Sequence, residues 1–150
     1  MIDGVIIKDL IKNRDERGWL TEIFRQDELD FTPLMSYLSF TNPGVVRGPH
    51  EHVWQSDCFI FLGPGDFKLY LWDHRPNSKT AGEFLELECG ASHPVLVIVP
   101  PGVIHGYKCI SVEAALSINL PDKLYKGLNK QAEVDEIRWE NVADSPYQIH

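Results

Sequence analysis

The fourteen residues "GVVRGPHEHVWQSD", Gly44 to Asp57, set an arginine, two histidines one residue apart, a glutamine and an aspartate among valine, glycine, proline and tryptophan. Taken as a strand, the stretch points His50 and His52 to one face and Glu51 to the other, because side chains alternate along extended backbone. The run that follows, "SDCFIFL", then puts Asp57, Phe59 and Phe61 on one face and Cys58, Ile60 and Leu62 on the other. An acid thus joins the imidazoles at the mouth of an apolar interior. Much later in the chain, "PPGVIHG" makes a tight turn that delivers His105 at the start of another strand.

Outward from this stretch the rhythm is the same. Short runs rich in Val, Ile, Phe, Tyr and Trp ("SYLSFTNPG", "DCFIFLGPG", "FKLYLWDHRPNS", "GEFLELECG", "HPVLVIVPPG", "AALSINLP") alternate with Gly, Pro, Asn and Asp. The pattern predicts an all-β sandwich or closed barrel, with "VLVIV" buried on both faces. Helix is sparse: one short turn is expected within Gln26 to Met35 and another within "GLNKQAEVDEIRW". At 150 residues and 43% hydrophobic content, a single domain over residues 1–150 is expected.

Fourteen Lys and Arg against twenty-two Asp and Glu give a formal charge of -8, so no chain-wide basic field favours nucleic acid. An anionic small molecule remains compatible, since a local arginine cluster opposes the global sign. No secretion signal is read at the start, and the longest apolar runs are too short to cross a bilayer. Cys58, Cys89 and Cys109 are odd in number and outside any CxxC spacing, which argues against a disulfide frame and for a reducing cytoplasm.

Gly44, His50, His52, Asp57 and Gly63, followed by a Pro-x-Gly-x-x-His block ending at His105, resemble the two-block signature of the cupins, small double-sheet jelly-roll barrels. Asp57 stands where cupins usually carry Glu. A narrower resemblance spans most of the chain: "DERGWLTEIF" at Asp15 to Phe24, "GVVRGPH", "DHRPNSKTAGEF" at Asp73 to Phe84, "VPPGVIHGY" at Val99 to Tyr107 and "EIRWEN" at Glu136 to Asn141 are similar to successive blocks of the dTDP-4-dehydrorhamnose 3,5-epimerases. That resemblance implies a cupin-type double-stranded β-helix, a homodimer, no metal or other cofactor, and a nucleoside-diphosphate 4-keto-6-deoxy sugar as substrate.

Epimerisation next to a ketone needs a base of near-neutral pKa and donors aimed at the enolate oxygen. His50 matches the family's base, with His52 or Asp57 as its partner or proton relay. Arg47 is placed to hold a phosphate or the enolate. By resemblance Arg17 meets the nucleotide, Glu22 the nucleoside and His105 the sugar pocket, and Trp19 is a candidate to stack on the base. Three family groups are displaced. The tyrosine that returns a proton falls, counted without gaps, at Ile118, leaving Tyr107 or Tyr125 as substitutes. The enolate-binding lysine falls near Asp57 or Cys58, and the acid behind the histidine would have to be Asp57 or Glu51.

Three alternatives stay open. "DERGWL" with "RGPHEH" is also similar to the sugar-nucleotide 3,4-ketoisomerases, in which His50 and His52 would be the acid–base pair and Tyr37 a pocket residue. A metal-dependent cupin would use His50, His52, Asp57 and His105 as ligands. A non-catalytic sugar-nucleotide binder would keep the pocket without the acid. His74, His93 and His150, lacking such company, are assigned to the surface.

Overall fold

The computed structural model describes residues 1–150. Its strands are β1 (Ile6–Asp9), β2 (Asn13–Asp15), β3 (Gly18–Leu20), β4 (Tyr37–Thr41), β5 (Val46–Glu51), β6 (Asp57–Phe61), β7 (Asp66–Asp73), β8 (Phe84–Gly90), β9 (Val95–Val99), β10 (Val103–Cys109), β11 (Ala115–Asn119) and β12 (Ile137–Arg138). One sheet runs in the order β1-β9-β6-β11-β4, the other β12-β5-β10-β7-β8, and β2 with β3 forms a separate hairpin. The result is a cupin-type jelly roll with antiparallel pairing throughout.

The core lies between the two five-stranded sheets. Phe59, Phe61, Val95, Val97 and Val99 from one meet Phe67, Leu69, Leu71, Val103 and Tyr107 from the other, nearly all of them inaccessible to solvent. The opposite faces of β6 and β9 are covered as well: Cys58, Ile60, Leu96 and Ile98 pack with Leu10, Leu29 and Phe31. This second layer is why "VLVIV" is apolar at every position, as a strand buried on both faces must be.

The expected helical turn within Gln26 to Met35 is absent; the segment is a turn followed by irregular backbone. Leu29 and Phe31 are both buried against the outer face of the first sheet. The chain bends here, the Phe31 N–H donating to the Leu29 carbonyl at 2.8 Å, and both side chains reach that surface. In the C-terminal region the only helical pieces are 3-10 turns at Leu128–Lys130 and Trp139–Asn141.

Between β5 and β10 the register is irregular: His105 pairs with His50, and Tyr107 with Arg47. One extra residue on β5 makes a bulge, Gly48 and Pro49 standing opposite Gly106, and proline has no N–H to give the ladder. Gly48 has φ +84, and a Cβ there would lie 2.8 Å from the His105 carbonyl oxygen. A glycine is needed for the two histidine-bearing strands to approach this closely.

Candidate active site

One end of the sandwich is not filled by side chains and holds a cavity of about 1010 Å3, bordered by Tyr37, Arg47, His50, His52, Phe59 and Tyr107. His50 and His105 are direct cross-strand partners, with ring centroids 4.5 Å apart. His52 follows on the same wall, 5.5 Å from His50 and 5.8 Å from His105 between centroids. Asp57 reaches them from the first residue of β6, on the facing sheet. Its carboxylate is 1% exposed, with Oδ2 3.2 Å from His52 Nε2 and 3.0 Å from His105 Nε2. Oδ1 accepts hydrogen bonds from Gln55 Nε2 (2.9 Å) and Asn119 Nδ2 (2.8 Å).

Burial by itself disfavours a charge on Asp57, but the hydrogen bonds of His105 and His52 outweigh it and hold the carboxyl well below the usual range. For His52 burial is likewise the largest effect and acts downward, yet Asp57 tips the net shift upward. His50 has no such partner in contact. Burial, together with His105 and His52, pushes it down to about 2, so the ring is neutral at physiological pH. The nearest carboxylate is Glu136, with Oε1 3.8 Å from His50 Nδ1.

Glu136 is a residue that reading the sequence missed. Its neighbour Asp135 accepts hydrogen bonds from the backbone N–H groups of Val53, Trp54 and Gln55, at 2.9, 2.8 and 2.9 Å, which pins the C-terminal segment over the β5–β6 turn. The Asp135 carbonyl also meets His52 Nδ1. The signal was the acidic pair just before "IRW", a short strand that pairs with Glu51 and His50. Glu51, offered as an alternative partner for His50, is instead buried on the opposite face, bonded to His74 Nδ1 and Trp139 Nε1. Alternation along β5 sends it there.

On the facing sheet, Asn119 Nδ2 donates to both Tyr37 Oη (2.9 Å) and Asp57, while its side-chain Oδ1 accepts from the Cys58 N–H (3.1 Å). Desolvation in the cavity wall pushes the Tyr37 phenol up to about 12. Ile118 packs outward against the second apolar layer, so the inward positions of β11 are Ala115, Ser117 and Asn119. A tyrosine at position 118 would miss the cavity. Tyr107 faces inward, its hydroxyl 3.1 Å from Ser117 Oγ, and Tyr125 lies at the cavity mouth. Cys58, the alternative to Asp57 at the lysine's place, points into the outer layer, and burial pushes its thiol up to about 12.

Arg47 borders the cavity and is braced by Thr41 Oγ1 (2.8 Å) and the Phe40 carbonyl (3.1 Å). Lys123, Lys126, Lys130 and Arg138 border the mouth together with Glu133, Asp135, Glu136 and Glu140, and Arg138 is paired with Glu136 at 2.7 Å. Arg17, Trp19 and Glu22 are not brought to this cavity within the chain. Arg17 pairs with Asp15 (2.5 Å) on the β2–β3 hairpin, Trp19 is 46% exposed beneath the Lys12 ammonium, and Glu22 pairs with Arg25. His93 and His150 lie outside it too, at the surface.

The open end of this cupin-type jelly roll gathers imidazoles, carboxylates and a phenol around one cavity, groups able to move protons. The chain belongs to the dTDP-4-dehydrorhamnose 3,5-epimerase family, whose model matches residues 1–144. A probable low-salt glycan biosynthesis epimerase of Haloferax volcanii is 39% identical over 127 residues, covering 83% of this chain and 81% of that protein. A spore coat polysaccharide biosynthesis protein of Bacillus subtilis is 39% identical over 120 residues, 79% of this chain and 78% of its own. The crystal structure of a dTDP sugar isomerase from Desulfovibrio desulfuricans superposes with a TM-score of 0.82 at 22% identity, over 98% of this chain and 91% of that one. At that identity the likeness speaks for the fold.

Proposed function

We propose that the protein epimerises a nucleoside-diphosphate 4-keto-6-deoxyhexose, with His50 removing the proton next to the ketone. The observation that carries the reading is geometric: the His50 ring lines the cavity, its centroid 4.5 Å from that of His105, with the Glu136 carboxylate 3.8 Å from its Nδ1. As the ring takes a proton, Glu136 meets the charge that develops. Arg47 offers guanidinium N–H groups to the enolate oxygen or to the diphosphate, and the lysines at the mouth favour the same anion. Tyr37, on the facing sheet, returns a proton from the other side of the sugar.

The ketoisomerase alternative asks His52 to exchange protons with substrate. Its two ring nitrogens already face the Asp135 carbonyl and Asp57, which favours a single working histidine. A homodimer belongs to the proposal as well. β4 ends its sheet as an edge strand with Leu38 59% and Phe40 57% exposed, and the β2–β3 hairpin projects with Trp19 and Leu20 uncovered. A second copy seated there would carry Arg17, Trp19 and Glu22 toward its neighbour's cavity. Three unpaired, buried cysteines fit a reducing cytoplasm.

The test is solvent exchange in D2O with dTDP-4-keto-6-deoxyglucose. The protein should place deuterium beside the ketone, and His50→Ala should lower the rate by about 1000-fold or more while circular dichroism stays unchanged. Unaltered exchange in that variant removes His50 from the role. Tight nucleotide-sugar binding with no exchange by the wild type assigns a binding module instead.

A further inference from the structure

β12 is two residues long, yet the residue just before it carries the carboxylate that faces the proposed base. Its ladder to β5 pairs Ile137 with Glu51 and Arg138 with His50, and so short a pairing does not hold a segment in place unaided. From Asn119, the end of β11, to Ile137 the chain has no strand, and its one helical piece is the 3-10 turn at Leu128–Lys130. Side chains must therefore set where Glu136 stands, with Oε1 3.8 Å from His50 Nδ1. That is just beyond hydrogen-bond reach, so the pair closes or is lost on a small movement.

Asp135 is built to set it. Its Oδ1 accepts from the Val53 N–H (2.9 Å), and its Oδ2 from the N–H groups of Trp54 (2.8 Å) and Gln55 (2.9 Å). Successive N–H groups turned to one side make a concave seat for an anion. Here the β5–β6 turn supplies the seat and the C-terminal segment the anion. The Asp135 carbonyl adds a fourth tie, to His52 Nδ1. Beyond β12, Trp139 Nε1 donates to Glu51 on the outer face of β5 (3.2 Å), so the two residues of β12 are held from both ends. Within the segment, Arg138 Nε and Nη2 donate to Glu136 Oε2 (2.8 and 2.7 Å), which leaves Oε1 to face His50.

We infer, taking the proposed role of His50 as the base, that Asp135 is a positioning residue for proton abstraction: its carboxylate fixes β12 to the β5–β6 turn and so aims Glu136 at His50. Asp135 acts through Glu136 and not on the sugar, because its two oxygens are already given to three N–H groups. The turn has little packing of its own. Val53 and Trp54 are 48% and 74% exposed, so the carboxylate does there what burial does elsewhere in the sandwich. A group moved by about 1 Å from its productive place loses about 100-fold in rate, which is the scale on which such a fixture matters.

The experiment is a double-mutant cycle on Asp135→Ala and Glu136→Gln in the full chain, read by D2O exchange into dTDP-4-keto-6-deoxyglucose and by amide hydrogen exchange with mass spectrometry. Asp135→Ala should lower kcat for exchange by about 30-fold with KM within about threefold of wild type, and Glu136→Gln should lower it by a comparable factor. The double variant should be within about threefold of Glu136→Gln alone, since a residue that acts through Glu136 then has nothing left to aim. Peptides covering residues 53–55 and 136–139 should exchange their amides faster in Asp135→Ala, while those covering β6 and β9 keep the wild-type rate. Should Asp135→Ala fail to fold, Asp135→Asn, checked by circular dichroism, takes its place in the cycle. Losses that multiply in the double variant, with His50→Ala inactive, overturn this inference alone, as does an unchanged amide rate over residues 136–139. Equal deuterium entry with wild type and His50→Ala overturns the reading of His50 and this inference together.

Discussion

His50 and Tyr37 sit on different sheets of one cavity, and that separation is what an inversion requires: a proton leaves on one side of the sugar and another arrives from the opposite side. Because Asn119 donates to Tyr37 Oη, the phenol's own hydrogen is free for a partner in the cavity, and its raised pKa keeps it there. Tyr37→Phe is therefore expected to retain deuterium exchange within about tenfold of wild type and to lose net epimerisation by about 100-fold or more. Proton NMR of the product, run beside mass spectrometry, separates the two; equal loss of both would move the acid to another residue, Tyr107 being next. The two-histidine pattern and His105 could be read in the sequence because strand alternation and a proline-glycine turn are local facts. Glu136 and Asn119 could not, since each acquires its meaning from a partner many residues away: 86 positions separate His50 from Glu136 (136 minus 50).

Among the elements, the strands were legible wherever burial on one or both faces stamped a period on the sequence, as in "DCFIF" and "VLVIV". The segment Gln26 to Met35 was not, because its charged residues suit a helix while its two buried apolar side chains, Leu29 and Phe31, are delivered by a bend that leaves no periodicity in the sequence. The end of β7 shows how a turn is fixed by a charge. Asp73 accepts from Arg75 Nε (2.8 Å) and Nη2 (2.9 Å), Ser78 Oγ (2.6 Å) and Thr80 Oγ1 (2.7 Å). Hydrogen bonds from Arg75 above all, helped by Ser78 and Thr80, hold its carboxyl well below the usual range against the opposing effect of burial. A depressed folded pKa stabilises above the unfolded value of about 3.9, and the stabilisation is lost as pH falls toward the folded one. Denaturant midpoints should accordingly drop below about pH 4. Asp73→Asn should cost about 2–4 kcal/mol at pH 7 and flatten that dependence. An unchanged acid limb in the variant would assign the loss to other carboxylates.

For the whole molecule, the architecture divides labour between a packed half and an open half of the same sandwich. Phenylalanines and valines of both sheets fill one part, and the cavity begins beyond Phe59 and Tyr107, which belong to the core and border the open space as well. No helix is long and apolar enough to cross a membrane. The uncovered β4 edge carries the expectation of self-association: Leu38→Glu with Phe40→Glu should convert a dimer to a monomer by analytical ultracentrifugation and weaken nucleotide binding, if Arg17 acts across subunits. A wild type that sediments as a monomer at micromolar concentration would refute that part. Fold class was legible here because two sheets must bury two periodic faces, whereas the charged groups of both signs at the mouth come together only when the C-terminal segment folds over it.

The central claim is that the imidazole at position 50 takes a proton from a carbon beside a ketone. It is tested most directly by incubating wild type and His50→Ala with dTDP-4-keto-6-deoxyglucose in D2O and following the sugar by mass spectrometry. Deuterium entering the sugar with wild type and not with the variant is the predicted result; deuterium entering equally with both would contradict it.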